Sequence, residues 1–155
     1  MYSSIVVPLD GSTLAEQALP YVKELVKNRT AKVHLISVAP VTSAVAPVHM
    51  YPPAIGLAEV EVDSQERERI EQELTHYLNG VALDLGQGSV TTRVEVRFGE
   101  AAEEIIAYAQ DVHADLIAMC THGRTGLARW AYGSVTEKVA RHAHCPILLV
   151  RAKPE

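Results

Sequence analysis

Short apolar runs that do not alternate with polar residues recur along this chain. They are Ser4-Ile5-Val6-Val7-Pro8-Leu9, Val33-His34-Leu35-Ile36-Ser37-Val38, Leu116-Ile117-Ala118-Met119 and Ile147-Leu148-Leu149-Val150. A strand with one wet face alternates. Near-continuous runs ask for burial on both faces, the mark of a parallel sheet covered by helices. Between the runs the period changes to that of a helix. Leu14, Ala18, Tyr21, Val22 and Leu25 form one stripe, opened by a Thr13-Leu14-Ala15-Glu16 capping box and stopped at Asn28-Arg29-Thr30. Residues 63–85 form a second helix, highly charged at its start, with Ile70, Leu74, Tyr77, Leu78, Val81 and Leu85 on its apolar side. Residues 90–97 alternate as a strand with one exposed face. Residues 100–112, with Ile105, Ile106 and Ala109 inward, and residues 134–142 are the remaining helices. Strand–helix alternation of this kind predicts an α/β fold, and right-handed crossovers leave only a few doubly wound topologies.

At 155 residues, 48% of them hydrophobic, the chain has the size and the core of a single domain spanning 1–155. A formal charge of -5 argues against generic nucleic-acid binding, which wants a basic face. An anionic ligand would have to be met by local donors. No apolar stretch nears the roughly 20 residues of a membrane helix, and the run at 5–9 is too short for a secretory signal. Two cysteines without a signal fit a reducing, cytoplasmic setting. Cys120 follows one strand and Cys145 precedes another, so in a parallel sheet they lie at opposite strand ends, roughly 13 Å apart. A disulfide needs Cα atoms within about 7 Å, so both are expected as free thiols.

The densest motif is Met119-Cys120-Thr121-His122-Gly123-Arg124-Thr125-Gly126, followed by Gly133-Ser134-Val135-Thr136. It places a strand, a glycine-bearing loop and a helix start in succession. Glycines let backbone approach a ligand closely, and the first N–H groups of a helix point at whatever sits there. A phosphate is the natural guest. Asp10, Val38 and this loop all follow strands, so they share the carboxyl edge of the sheet, where open α/β folds bind ligands. Neither the P-loop spacing nor G-x-G-x-x-G is present.

Taken together, Val7-Pro8-Leu9-Asp10-Gly11-Ser12, Thr121-His122-Gly123-Arg124-Thr125-Gly126, Gly133-Ser134-Val135 and Cys145-Pro146-Ile147-Leu148-Leu149-Val150 resemble the universal stress protein family in its small single-domain form. The resemblance covers nearly the whole chain. It implies a five-stranded parallel sheet of order 3-2-1-4-5 with helices on both faces. The family's nucleotide-binding pattern, G-2x-G-9x-G-[S/T], falls on Cys120, Gly123 and Gly133-Ser134. The first glycine is therefore a cysteine, whose Cβ resists positive φ and could crowd a ligand. By resemblance, Pro8, Leu9 and Asp10 hold the adenosine end of ATP and Val38 lines the base pocket. Met119 and Cys120 flank the ribose. Gly123, Gly133, Ser134, Val135 and Thr136 contact phosphates, with Mg²⁺ accompanying them. The family pairs copies along the last strand, so a homodimer through residues 147–150 is implied, with a further protein partner reading a nucleotide-ordered loop at 121–132.

Plainer readings stand beside these. Ser134 with Glu137 is also an ordinary capping box. Asp10 can serve its own turn. His122 can donate to phosphate or only to its loop, and Arg124 and Arg129 can neutralise phosphate or simply be solvated. His142, His144 and Cys145 make too small a cluster for a structural metal and read as a helix end meeting a strand. Trp130 and Tyr132 read as packing residues. No Ser/His/Asp order can be assembled, no carboxylate pair stands at the loop, and a Walker-type lysine is absent, Lys138 lying inside a helix. The resemblance thus implies a nucleotide-dependent stress-response switch. The alternatives are a dimeric stress protein working by protein contacts alone and a slow ATPase. The segment at 39–61, with its four prolines after Ala39 in the order Pro40, Pro47, Pro52 and Pro53, is too long for a plain connection in a small domain.

Overall fold

The computed structural model describes residues 2–41, 64–85, 90–121 and 133–153. The elements are β1 (Ser4–Pro8), α1 (Thr13–Glu16), α2 (Leu19–Val26), β2 (Ala31–Ala39), α3 (Ser64–Leu85), β3 (Val90–Phe98), α4 (Ala101–Asp111), β4 (Leu116–Thr121), α5 (Ser134–His142) and β5 (Ile147–Arg151). All strand pairs are parallel, in the order β3-β2-β1-β4-β5. This is the expected α/β architecture and strand order.

The period of two along each strand sorts the core into two layers. Ile5 and Val7 of β1 with Leu9 just past its end, Val33 and Leu35 of β2, and Leu116 and Ala118 of β4 face one side, where Val22 and Val26 of α2 and Leu78 and Leu85 of α3 close over them. Val6, Ile36, Ile117 and Met119 face the other side and meet Ala102, Ile105 and Ala109 of α4 and Val139 of α5. The middle of β1 is sealed: Ile5, Val6 and Val7 are 0% exposed.

Two local expectations are corrected. The first helix is broken at Gln17-Ala18, because Pro20 stands at the start of α2 and has no N–H to continue the ladder. In α2, Val26 is buried, whereas Tyr21, expected on the apolar stripe, is 51% exposed. Its cap is also shifted by one residue. Ser12, not Thr13, is the N-cap, and its hydroxyl accepts from the Ala15 N–H at 3.1 Å. Both cysteines are free, Cys120 buried and Cys145 half-buried.

At the amino ends of the strands, Asp115 fastens β1 to the start of β4. Its carboxylate accepts from the Ser3 N–H (2.8 Å), the Ser3 hydroxyl (2.7 Å) and the Ser4 N–H (3.1 Å). Partial burial alone would raise its pKa, but these donors outweigh it and hold the carboxyl below its ordinary value. The carboxyl ends of the strands are left to the site.

Candidate functional site: a cavity at the carboxyl edge of the sheet

A cavity of about 230 Å³ opens beyond the carboxyl ends of β1, β2 and β4. Its floor is apolar, made by Ile36 of β2, Ile105 of α4 and Met119 of β4. Pro8, Leu9 and Asp10 at the exit of β1, with Leu14 and Ala15 of α1, form one wall. Val38 and Ala101 form another. Gly133, Ser134, Val135 and Thr136, at the start of α5, and Cys120 of β4 complete the lining. The volume lies below the ~300–1,000 Å³ usual for ligand pockets. It suits a group of nucleoside size, with any charged extension at the rim.

Local sequence explains the shape. Gly11 holds a φ of 82°, so the chain can leave β1 at Pro8 and re-enter a helix at Thr13 with four residues between. Asp10 Oδ1 accepts from the Ser12 N–H (3.0 Å) and the Ser12 hydroxyl (2.5 Å), so the carboxylate serves the turn while bordering the cavity. Ser37, 2% exposed, donates its hydroxyl to the Leu9 carbonyl at 2.7 Å. The Leu9 N–H in turn reaches the Ile36 carbonyl. Past that point β1 ends while β2 continues. The alternation of a parallel ladder aims the Val38 N–H and C=O to the side β1 has vacated, toward the cavity that Val38 lines. Behind the wall, the Tyr77 hydroxyl of α3 donates to Glu16 Oε1 at 2.8 Å. Burial first, then the bond to Glu16, pushes that phenol above its usual range.

The start of α5 differs from the sequence reading. Gly133 is the N-cap, Ser134 is the first helical residue, and no side-chain cap bond is made there among the described residues. The Ser134–Glu137 capping box is therefore not formed. The Glu137 carboxylate turns instead to Arg141, at 2.7 Å. By contrast, Ser12 caps α1 and the Glu100 side chain caps α4. The helix start that borders the cavity thus presents first-turn N–H groups without a side-chain partner, a suitable receptor for an anion.

Cys120 also departs from its expectation. It sits in β4, paired with Val150 of β5, in ordinary extended backbone. Positive φ at non-glycine positions occurs only at Asn28 and His113 among the described residues. A Cβ here meets no backbone strain. Cys120 is 8% exposed and packs with Ala18, Val150 and Leu148. Burial raises its thiol pKa, only partly opposed by the Ala18 N–H, so it behaves as a small apolar side chain.

Ten of the thirteen positions singled out in the sequence line this one cavity: Pro8, Leu9, Asp10, Val38, Met119, Cys120, Gly133, Ser134, Val135 and Thr136. His122, Gly123 and Arg124 lie outside the described residues, as do Arg129, Trp130 and Tyr132. Sequence reasoning missed Leu14, Ala15, Ile36, Ala101 and Ile105 as lining residues. The three larger ones, Leu14, Ile36 and Ile105, read as core by period, while the two alanines carry no chemical signal at all. At the far end of α5, His142 Nδ1 lies 2.9 Å from the Lys138 carbonyl. Lys138 itself bridges to Glu100 (3.2 Å) and Glu103 (2.8 Å) of the α4 cap. Among the described residues no helix is long and apolar enough to cross a membrane.

Comparison with known proteins agrees with this architecture. The universal stress protein family profile matches residues 1–151. Universal stress protein MJ0531 of Methanocaldococcus jannaschii is 34% identical over 155 residues, covering 100% of this chain and 85% of the relative. The solved structure of MJ0577, from the same organism, superposes with a TM-score of 0.75 at 27% identity, covering 100% of this chain and 99% of that one. A universal stress protein from Archaeoglobus fulgidus, solved in complex with dAMP, shares the fold at a TM-score of 0.60 and 20% identity, covering 96% and 97%. On the extent of the family match and the identity to MJ0531, the chain belongs to the universal stress protein family.

Proposed function

We propose that this chain binds an adenine nucleotide, ATP, in the cavity at the carboxyl edge of the sheet, and that the bound nucleotide acts as a switch. The observation that carries the reading is the pairing of two unlike surfaces in one cavity. An apolar floor of Ile36, Ile105 and Met119 suits a flat base, and the uncapped start of α5 at Gly133–Thr136 suits phosphates. The Val38 backbone groups supply a donor and an acceptor for the edge of the base, and Asp10 accepts from a sugar hydroxyl. Asp10 is the only carboxylate lining the cavity among the described residues. Mg²⁺, which prefers phosphate oxygens and water with one or two carboxylates, would accordingly arrive on the triphosphate. With no lysine or carboxylate pair lining the described cavity, catalysis is at most a slow hydrolysis.

The active form in this reading is a homodimer. β5 closes one edge of the sheet, and an apolar edge strand left uncovered invites pairing. A second copy meeting Ile147-Leu148-Leu149-Val150 covers it symmetrically. An unidentified protein partner then reads the nucleotide-loaded surface.

The test is calorimetric titration of nucleotide-stripped protein with Mg-ATP, with AMP and GTP in comparison, followed by sedimentation of the loaded and empty forms. Saturable ATP binding near one per chain, tighter than GTP, is expected. No heat up to millimolar ATP would overturn the reading and leave a stress protein that works by protein contacts alone.

A further inference from the structure

Away from the cavity, two buried side-chain atoms among the described residues have no hydrogen-bond partner, Thr92 Oγ1 and a ring nitrogen of His34, and of these only the histidine titrates. His34 lies in the middle of β2 and is 5% exposed. Its Nδ1 is 3.2 Å from the Tyr108 hydroxyl of α4, and the two rings meet edge to face with centroids 5.8 Å apart. The other ring nitrogen, Nε2, is shut off from solvent with no hydrogen-bond partner among the described residues. A neutral imidazole tolerates this, whereas an imidazolium must bury a charged donor that nothing receives.

The charges around the ring come from three elements. On β2, Lys32 is two residues back on the same face. On β3, Arg93 is the register partner of His34, and neither cation makes an ion pair among the described residues. Further along the same face of β3, Arg97 lies 4.8 Å over the Tyr108 ring. The carboxylates on this side are engaged with that guanidinium: Glu95 at 3.2 Å, Asp111 at 2.7 Å and Glu104 at 3.6 Å. On β1, Ser4–Pro8 carries no charge. Burial, then Arg93, then Lys32 hold the His34 pKa below its ordinary 6.5.

We infer that His34 is a proton-sensitive latch between β2 and α4: the neutral ring seats Tyr108, and a proton on it unseats the helix. α4 carries Ala101 and Ile105 into the cavity, so the latch also regulates the site; this last step rests on the nucleotide reading. The latch acts in acid. Above 6.5 both folded and unfolded chains leave this imidazole neutral, and its contribution is fully present. As pH falls from 6.5 toward the folded-state pKa, the unfolded chain takes up a proton the folded one refuses. The unfolding constant then rises by up to tenfold per pH unit.

The experiment compares urea unfolding of wild type and H34N from pH 7.5 to 5.0, with amide exchange at α4 and NMR titration of the His34 ring in the wild type. Wild type should lose stability below 6.5 with a slope up to tenfold per unit steeper than H34N, and its α4 amides should lose protection first. Parallel slopes would overturn the latch. Should H34N not fold, the wild-type ring decides alone: titration below 6.5 supports the latch, and titration at or above 6.5 refutes it. Mg-ATP titrations at pH 7.5 and 5.5 separate the two readings. Absence of binding at pH 7.5 strikes the nucleotide proposal, while the stability slopes judge the latch independently.

Discussion

Replacing Cys120 by glycine restores the residue that the family's nucleotide-binding pattern carries, and the structure predicts that the protein is weakened by it. Position 120 is regular strand, paired with Val150 and packed on Ala18 and Leu148. Two contributions are lost. Glycine in a strand interior costs roughly 0.5–1 kcal/mol in backbone entropy. Removing the two heavy atoms of a side chain that is 8% exposed costs about 1.5 kcal/mol at about 0.8 kcal/mol for each carbon-sized group. The sum is about 2–2.5 kcal/mol, which at a urea m-value of roughly 2 kcal/mol/M lowers the unfolding midpoint by about 1 M. Cys120→Ala separates the contributions, since it keeps the Cβ and loses only the sulfur, roughly 1 kcal/mol. The order of stability should therefore be wild type, then C120A, then C120G. A left-handed backbone at 120 would bring C120G level with C120A or above it, because glycine relieves that strain by about 1–2 kcal/mol. Finding C120G as stable as C120A, or more so, would refute the extended geometry and return Cys120 to the role of an obstructing substitute for glycine. Because the side chain packs toward Ala18, ATP affinity should change by less than about tenfold in either variant.

Two further predictions probe opposite ends of the sheet. Ala15→Phe projects a ring into a cavity of about 230 Å³ from the wall of α1. It should abolish ATP binding in calorimetry while leaving the far-ultraviolet circular dichroism spectrum unchanged, and retained affinity would move the site elsewhere. Asp115→Asn weakens the three hydrogen bonds from Ser3 and Ser4 and should cost roughly 1–2 kcal/mol at neutral pH. Because the folded carboxyl titrates below its ordinary 3.8, the wild-type advantage is full above about pH 4 and disappears as pH falls through the folded-state value. An advantage that grows in acid would overturn that account.

The two layers of the core were legible because burial on both faces leaves a continuous apolar run, and because the strands at 5–7, 33–36 and 116–119 carry such runs. The interruption after Glu16 was less legible. Its cause, Pro20, is in the sequence, but proline is equally at home in a first helical turn, and a continuous stripe from Leu14 to Leu25 can be drawn through it. The same ambiguity misplaced the caps: Ser12 and Thr13 are both good N-cap residues, and only the carboxylate of Asp10, which holds the Ser12 hydroxyl, settles which one acts.

The site was legible by a different route. Period and composition say nothing about Asp10, Val38 and Gly133 lying together. Topology does, because each follows or faces the carboxyl end of a strand, and in a sheet of order 3-2-1-4-5 the edge next to β1 is where the connections diverge to opposite faces. What sequence could not supply was the accounting of hydrogen bonds. Ser134 with Glu137 has the letters of a capping box, yet Glu137 pairs with Arg141 and the helix begins at Ser134 itself. A cap at this position would have neutralised the N–H groups that a phosphate needs. The failure of that local rule coincides with the one described helix start that both borders a cavity and lacks a side-chain cap. Departures from local self-satisfaction gather at functional sites, and that makes the beginning of α5 the part of this chain on which the proposed nucleotide binding most depends.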